Sequence, residues 1–382
     1  MKIEKLSNEI DIKAELKRLG VDDGGIAILA SKATMHIIYI NELHVGAANI
    51  LKQDALSIGA DLAVPRGTVV AAKPKVDCIL IANTKQLRTL VKKELAQPLG
   101  LRELALLLKE VTKTQKPESV EIMGVLNAND DSFYAGSRLN ENSAVGVIEQ
   151  MIEQGAEIID IGAVSSRPNA SFVSIEEELS RIEPILALIK ERKFYERVKL
   201  SCDSYEPQVI QKALESGFSI VNDITGLQND EVCRLCASYN ATAVIMHMRG
   251  TPQTMQKKPE YENVLCEVYD FLRQRVQKAE SFGVQDIVLD VGIGFGKTLQ
   301  NNLTLLKNLE HFLRLEKPLL VGASRKSMID KISPSIVEQR LGGTLALHLE
   351  AARNGASILR VHDVSEHIQA IKVFNALQTV GH

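Results

Sequence analysis

The sequence predicts an α/β protein in which a TIM-type (β/α)8 barrel follows a small N-terminal α/β domain. Three observations predict it. From Val120 onward, short apolar strand-like runs alternate eight times with amphipathic helical runs. Those runs are apolar throughout, which suits parallel strands covered on both faces. Eight such units in about 260 residues fit the size of this barrel. A doubly wound open sheet is the alternative, but the chain carries no dinucleotide-binding glycine fingerprint.

Residues 1–111 form the first block. Strands are expected over Ile26–Ala30, His36–Ile40 and Cys78–Ala82, and helices over Ala47–Ile58, Gln86–Leu95 and Leu101–Leu108. Residues 112–119 are polar with one proline and read as a linker. Residues 120–382 form the barrel. Its strands are expected at Ile122–Leu126, Ile158–Ile161, Val198–Cys202, Ile220–Asn222, Ala243–Met246, Ile287–Leu289, Leu319–Val321 and Ile358–Val361. The helices that follow them are expected at Val145–Gln154, Glu176–Lys190, Pro207–Glu215, Asp230–Ser238, Val264–Ser281, Leu303–Phe312, Val337–Arg353 and Ser365–Leu377.

Composition narrows the function. Apolar residues make up 45% of the 382, enough for a large core, and the net charge of -3 gives no basic field for nucleic acid. No apolar run approaches the ~20 residues of a membrane span. Five cysteines, an odd count, and no secretory leader point to the reducing cytoplasm. Cys233 and Cys236 form a CxxC without a second pair or a histidine at zinc spacing, and read as two small residues on a buried helix face.

The most informative stretch is Asp290-Val291-Gly292-Ile293-Gly294-Phe295-Gly296-Lys297-Thr298. An acid at a strand end followed by three glycines implies close backbone approach. The Gly-Lys-Thr tail suggests a phosphate loop, but that motif needs a glycine five positions before Gly296, where Val291 stands.

Barrel chemistry lies at the carboxyl ends of the strands. In strand order those ends hold Asn127 (with Asn129, Asp130 and Asp131), Ser165-Ser166-Arg167, Asp203, Asn222-Asp223, His247, Asp290, Ser324-Arg325-Lys326-Ser327, and Arg360 with His362 and Asp363. Arg167, Arg360, His362 and Ser166 can converge on an anion, with Asn127 offering a neutral oxygen to Mg²⁺ beside a polyphosphate. Asp203, Asn222, Asp290 and Lys326 suit a planar heterocycle with donors and acceptors on its edge.

Eight stretches in order resemble the dihydropteroate synthase family, the sulfonamide-targeted enzymes of folate synthesis, over about two thirds of the chain. They are Met123-Gly124-Val125-Leu126-Asn127 with Asp131-Ser132-Phe133; Ile159-Asp160-Ile161-Gly162 with Ser165-Ser166-Arg167-Pro168; Cys202-Asp203-Ser204-Tyr205; Val221-Asn222-Asp223-Ile224; Met246-His247; Asp290 to Thr298; Ser324-Arg325-Lys326-Ser327; and Arg360-Val361-His362-Asp363. The resemblance implies condensation of 6-hydroxymethyl-7,8-dihydropterin pyrophosphate with p-aminobenzoate, Mg²⁺-assisted and SN1-like, in a homodimer. It implies Asn127 as the Mg²⁺ ligand and Asp203, Asn222, Asp290 and Lys326 as pterin-edge contacts, with Met246 as lining. It places Arg360 and His362 on the pyrophosphate and Ser166 and Arg167 on a second loop near both substrates. Phe295, Gly322, Arg325 and Ser327 belong to the substrate pocket, with Phe295, Arg325 and Ser327 at the p-aminobenzoate end.

The chain departs from the family's usual pattern at Ala128-Asn129-Asp130, Val164, Val291 and Glu206, and residues 1–111 lie outside the resemblance. Two other readings share parts of this site: a barrel that passes a folate methyl group to a corrinoid protein, and a non-catalytic pterin-binding protein. His247 and Asp131 are candidates for a general base, though a structural or loop-closing role suits each better.

Overall fold

The computed structural model describes residues 1–8, 10–127, 144–164, 173–250, 255 and 259–379. The chain divides into two compact units, Met1–Thr114 with Asn375–His382, and Gln115–Phe374. Residues 375–379, which the sequence places with the barrel, thus group with the first unit.

The first unit contains α1 (Ile12–Arg18), α2 (Asp23–Ala33), β1 (Met35–His44), α3 (Val45–Ser57), β2 (Asp61–Ala63), β3 (Lys75–Asn83), α4 (Thr84–Glu94) and α5 (Leu101–Val111). The strands form an antiparallel sheet in the order β1-β3-β2. Val76, Cys78, Leu80 and Ala82 alternate inward along β3, the period-two signal of a strand with one covered face. They meet Leu51, Leu87, Leu90, Leu101 and Leu108 in one core. The expected strand at Ile26–Ala30 is instead part of α2. Only Ala30 of α2 is buried, so the apolar run covers no sheet, and a run this short does not distinguish the two conformations. The sequence reading also lacks α1 and the three-residue β2.

The second unit is a closed eight-stranded parallel barrel with helices outside. In order it runs β4 (Glu121–Asn127), α6 (Ala144–Glu153), β5 (Ile158–Gly162), α7 (Ile175–Arg192), β6 (Lys199–Asp203), α8 (Pro207–Leu214), β7 (Ile220–Asp223), α9 (Asp230–Ser238), β8 (Thr242–Met246), α10 (Val264–Ser281), β9 (Ile287–Asp290), α11 (Leu299–Lys307), β10 (Leu319–Val321), α12 (Ser327–Ile332), α13 (Leu341–Arg353), β11 (Ile358–Val361) and α14 (Val364–Thr379). All eight expected strands are present. The helix expected over Leu303–Phe312 breaks at Asn308, whose side chain bonds back to the Thr304 carbonyl at 2.8 Å, and a 3-10 stretch, Leu309–Leu315, follows. The helix expected from Val337 starts at Leu341, after a short 3-10 turn at Val337–Gln339. Cys233 and Cys236 are buried in α9, as expected for a packed helix face.

Two layers of apolar side chains position the site. Outward residues such as Ile159, Cys202, Val221, Ile245, Leu289 and Leu359 pack against the helices. Met123, Ile158, Ile220, Val244, Val288, Leu320 and Ile358 fill the barrel interior. Side chains alternate along a strand. Two residues beyond each interior position the chain therefore points inward again, nearer the carboxyl rim. On β5, β7, β8, β9 and β11 those positions are Asp160, Asn222, Met246, Asp290 and Arg360.

Candidate active site

The interior polar residues form a connected network. Arg360 of β11 donates from Nε to Asp160 Oδ2 at 2.6 Å and from Nη2 to Asp203 Oδ2 at 2.7 Å. Asp160 of β5 is fully buried, and it also accepts from Ser201 Oγ at 2.6 Å and from Asn222 Nδ2 at 3.1 Å. Asn222 thereby spends one amide N–H on Asp160 and keeps its carbonyl oxygen and second N–H for other partners. Asp203 and Asn222 are direct neighbours in register, as are Met246 and Asp290.

Electrostatics follow from this burial. Desolvation alone would lower the Arg360 pKa, but Asp160 and Asp203 hold it above its ordinary value. Burial pushes the Asp203 carboxyl up, against the pull of Arg360. Burial also raises Asp290, whose Oδ1 accepts from the Gly292 N–H at 2.7 Å, while Lys326 pulls it down. Burial draws the Lys326 ammonium down to about 8, with Asp290 opposing. Lys326 donates to the Ile293 carbonyl, and its Nζ lies 4.5 Å from the centre of the Phe295 ring. Asp290 and Lys326 thus lie close enough to act on one another's charge, with Phe295 beside the lysine.

The glycine-rich loop after β9 wraps around a buried lysine, whose pKa burial draws well below the ordinary value. Lys297 is buried, and its Nζ lies within 2.9 Å of His247 Nδ1, 3.2 Å of the His247 carbonyl, 2.9 Å of the Gly292 carbonyl and 3.0 Å of the Phe295 carbonyl. Gly292 has a φ of +67, and a Cβ there would stand 1.9 Å from the His247 carbonyl oxygen. At Gly296, φ +63, a Cβ would stand 2.4 Å from the Arg249 carbonyl oxygen. Both positions need glycine for backbone approach. The Gly-Lys-Thr tail is therefore a clamp on this loop, and His247 is its partner: burial first, then Lys297 and Arg249, drive the His247 pKa to about 2. A group so held is no general base near neutral pH.

The loop after β10 is held from behind. Arg325, at φ +53, donates from Nε and Nη2 to both oxygens of Asp363, at 2.9 and 2.5 Å. His362 is exposed, with Nδ1 2.8 Å from Ser324 Oγ. Ser327 is exposed at the start of α12, and Gly322 faces Arg360, where a Cβ would meet its Cβ at 3.7 Å. Asn127 ends β4 half-buried, paired in register with Gly162. Asp223 turns outward and caps its own loop through Thr225 and Leu227. Ser166, Arg167 and Asp131 lie outside the described residues.

Sequence reasoning named the rim but missed Asp160, the residue that joins Arg360 to Asn222. The signal was present: a lone carboxylate inside an apolar strand must have a buried partner.

Comparisons with known proteins fit this geometry. The family model for pterin binding enzymes matches residues 123–362. The bifunctional dihydropteroate synthase/dihydropteroate reductase of Helicobacter pylori is 43% identical over 376 residues, covering 98% of this chain and 99% of that protein. The dihydropteroate synthase of Haemophilus influenzae is 40% identical over 259 residues, covering 67% of this chain and 93% of its own. Among solved structures, Yersinia pestis dihydropteroate synthase in a sulfonamide drug complex superimposes with a TM-score of 0.63 at 34% identity, covering 69% of this chain and 95% of that one.

Proposed function

The chain belongs to the pterin-binding enzyme family, and from that premise we propose how its own residues carry out the dihydropteroate synthase reaction. That reaction joins 6-hydroxymethyl-7,8-dihydropterin pyrophosphate to p-aminobenzoate. The bond from the pterin methylene carbon to oxygen breaks, its electron pair leaves with pyrophosphate, and the aniline nitrogen bonds to the carbon and loses a proton. The enzyme is a transferase of folate synthesis. Identity to named synthases favours this reaction over methyl transfer to a corrinoid or binding without catalysis.

The observation that carries the residue assignment is the network that ties Arg360 to Asp160, Asp203 and, through Asp160, Asn222. Asp290, Asn222 and Asp203 present acceptors to the ring N–H and amino groups of the pterin, and Lys326 donates to its carbonyl edge. A wrong heterocycle would leave these buried groups unsatisfied, which gives selectivity. Arg360, continuing from the pterin towards the mouth, and His362 stabilise charge growing on the pyrophosphate. The electron-rich ring delocalises the methylene cation, so the aniline is positioned rather than activated and no dedicated base is needed. Phe295, Arg325 and Ser327 hold the p-aminobenzoate end, where sulfonamides would compete.

The donor set suits Mg²⁺: Asn127 offers one hard neutral oxygen, and this ion commonly takes one or two protein ligands with phosphate and water. When bound, it neutralises charge on the departing pyrophosphate. We also infer a homodimer in a reducing cytoplasm, the latter supported by five free cysteines, four of them buried. Pyrophosphate release tests the reaction directly: it must depend on p-aminobenzoate and yield dihydropteroate.

A second reading concerns residues 1–114. The Helicobacter relative matches along nearly the whole chain, whereas the Haemophilus synthase covers 67% of it. The extra unit therefore accompanies an enzyme described as also a reductase, and 97% of this chain also matches a Halobacterium salinarum protein described as a probable bifunctional folylpolyglutamate synthase/dihydropteroate synthase. On this reading the full chain also reduces dihydropteroate: a hydride from a reduced nicotinamide or flavin adds to C6, a proton adds to N5, and the donor is oxidised. Donor oxidation that depends on dihydropteroate supports it; donor oxidation unaffected by dihydropteroate overturns it.

A further inference from the structure

Behind the loop after β10, two buried histidines make a continuous hydrogen-bonded line. The Ala323 N–H donates to His348 Nε2 at 3.0 Å. His348 Nδ1 lies 2.8 Å from His367 Nε2, and His367 Nδ1 lies 2.6 Å from the Asp363 carbonyl oxygen. Each ring is 1% exposed.

The two ends fix the protons. His348 Nε2 accepts from a backbone N–H, so it carries no hydrogen. A neutral His348 then has its proton on Nδ1 and donates to His367 Nε2. His367 must in turn carry its proton on Nδ1, where the Asp363 carbonyl accepts it. All the contacts are satisfied by two neutral rings of the same tautomer. An added proton would set N–H against N–H between the rings or against the Ala323 N–H.

The line connects the two loops that hold the site's basic side chains. Ala323 opens the loop carrying Ser324, Arg325 and Lys326, while Asp363 receives two of the guanidinium bonds of Arg325. One turn before His348 on α13, Thr344 Oγ1 accepts from the Arg325 N–H at 2.9 Å and donates to the Arg340 carbonyl at 2.8 Å. Positions 344 and 348 share a helix face, so α13 grips the loop at two alternate amides.

We infer that His348 and His367 are positioning residues, a proton-ordered pair that sets the loop after β10 relative to Asp363 and so shapes the p-aminobenzoate end. This rests on the assignment of Arg325 to that end. The charged groups around the pair are Lys326 and His362, which oppose a proton on His348, and Asp363 and Glu366, which favour one on His367.

The test uses the full chain. His348→Leu should raise the KM for p-aminobenzoate roughly tenfold, the loss of about one hydrogen bond. His348→Gln, whose amide offers an acceptor and a donor, should recover most of that loss. Arg325→Ala run in parallel separates the two levels. If it leaves the p-aminobenzoate KM unchanged, the assignment of Arg325 fails and the inference with it. If it raises the KM while His348→Leu does not, the inference alone is overturned. Should His348→Leu not fold, nitrogen-15 NMR of the unsubstituted protein decides: both rings protonated at Nδ1 supports the pair, and a proton on His348 Nε2 overturns it.

Discussion

The guanidinium Nε of Arg360 lies 2.6 Å from the Oδ2 of Asp160, across the interior of the barrel and 200 residues apart in sequence. Asp160 makes no other claim on function than to hold Arg360, Asn222 and Ser201 in one arrangement. Asp160→Ala removes the shared anchor and leaves a buried cation with Asp203 alone. Breaking such a pair costs about 3–5 kcal/mol, so urea unfolding should show a loss of that order, and kcat/KM should fall by at least about a hundredfold. Stability within about 0.5 kcal/mol of the parent would show that Asp160 is not the anchor.

Lys326 sets a pH limit. Its ammonium is held near 8 by burial rather than at the ordinary lysine value. The ammonium is the stronger, charge-assisted donor to the pterin, so kcat/KM should decline from its plateau as pH rises through that value, since this parameter reports the free enzyme. Lys326→Arg keeps a charge that does not titrate in this range. It should lower the plateau and remove the alkaline decline. A decline that persists unchanged in Lys326→Arg assigns the limb to another group.

Lys297 is expected to act through loop shape alone. Lys297→Met keeps the length of the side chain but leaves His247 Nδ1 and the His247 and Phe295 carbonyls without this donor, while the Gly292 carbonyl keeps the Phe295 N–H. Each unsatisfied buried group costs about 1–3 kcal/mol, so thermal unfolding should move down and pterin affinity should weaken. Equilibrium dialysis should detect no nucleoside triphosphate binding by the parent chain, because the motif lacks its first glycine.

Glu94 in the first unit gives a prediction independent of the barrel. It is fully buried, neither carboxyl oxygen has a hydrogen-bond partner among the described residues, and burial, then the nearby Asp54, raises its pKa to about 7. A carboxyl whose pKa is higher folded than unfolded binds its proton more tightly in the native state. Stability therefore declines as pH rises from the unfolded value through about 7 and stays lower above it. Glu94→Gln should remove that decline and stabilise the unit at pH 8 by an amount on the order of 2 kcal/mol. Identical pH profiles for parent and variant would show that Glu94 does not titrate there.

The barrel was legible because its strands are apolar runs at regular spacing, and strand parity then carries Asn222, Asp290 and Arg360 inward. Asp203 follows from the same reasoning, two residues beyond the inward Ser201. Other features were not legible for physical reasons. Asp160 sits inside a strand, and its chief partner comes from the far end of the sequence. Lys297 stands in a motif that suggests phosphate, whereas its partners are backbone carbonyls that sequence cannot display. His348 and His367 lie on separate helices and become a pair only once α13 and α14 pack. The α2 run of Ile, Ala and Leu carries no periodicity that separates helix from strand over five residues.

Asn127 has its own titration. If its amide oxygen is the Mg²⁺ ligand, Asn127→Ala should shift the Mg²⁺ dependence of turnover to higher concentration by roughly tenfold. An unshifted curve rules out that role.

The central claim is that Asp290 recognises the pterin edge, and calorimetric titration of Asp290→Ala with 6-hydroxymethylpterin pyrophosphate tests it most directly. Loss of a charge-assisted bond predicts binding weaker by roughly ten- to a hundredfold. An unchanged dissociation constant in a folded variant would contradict the account.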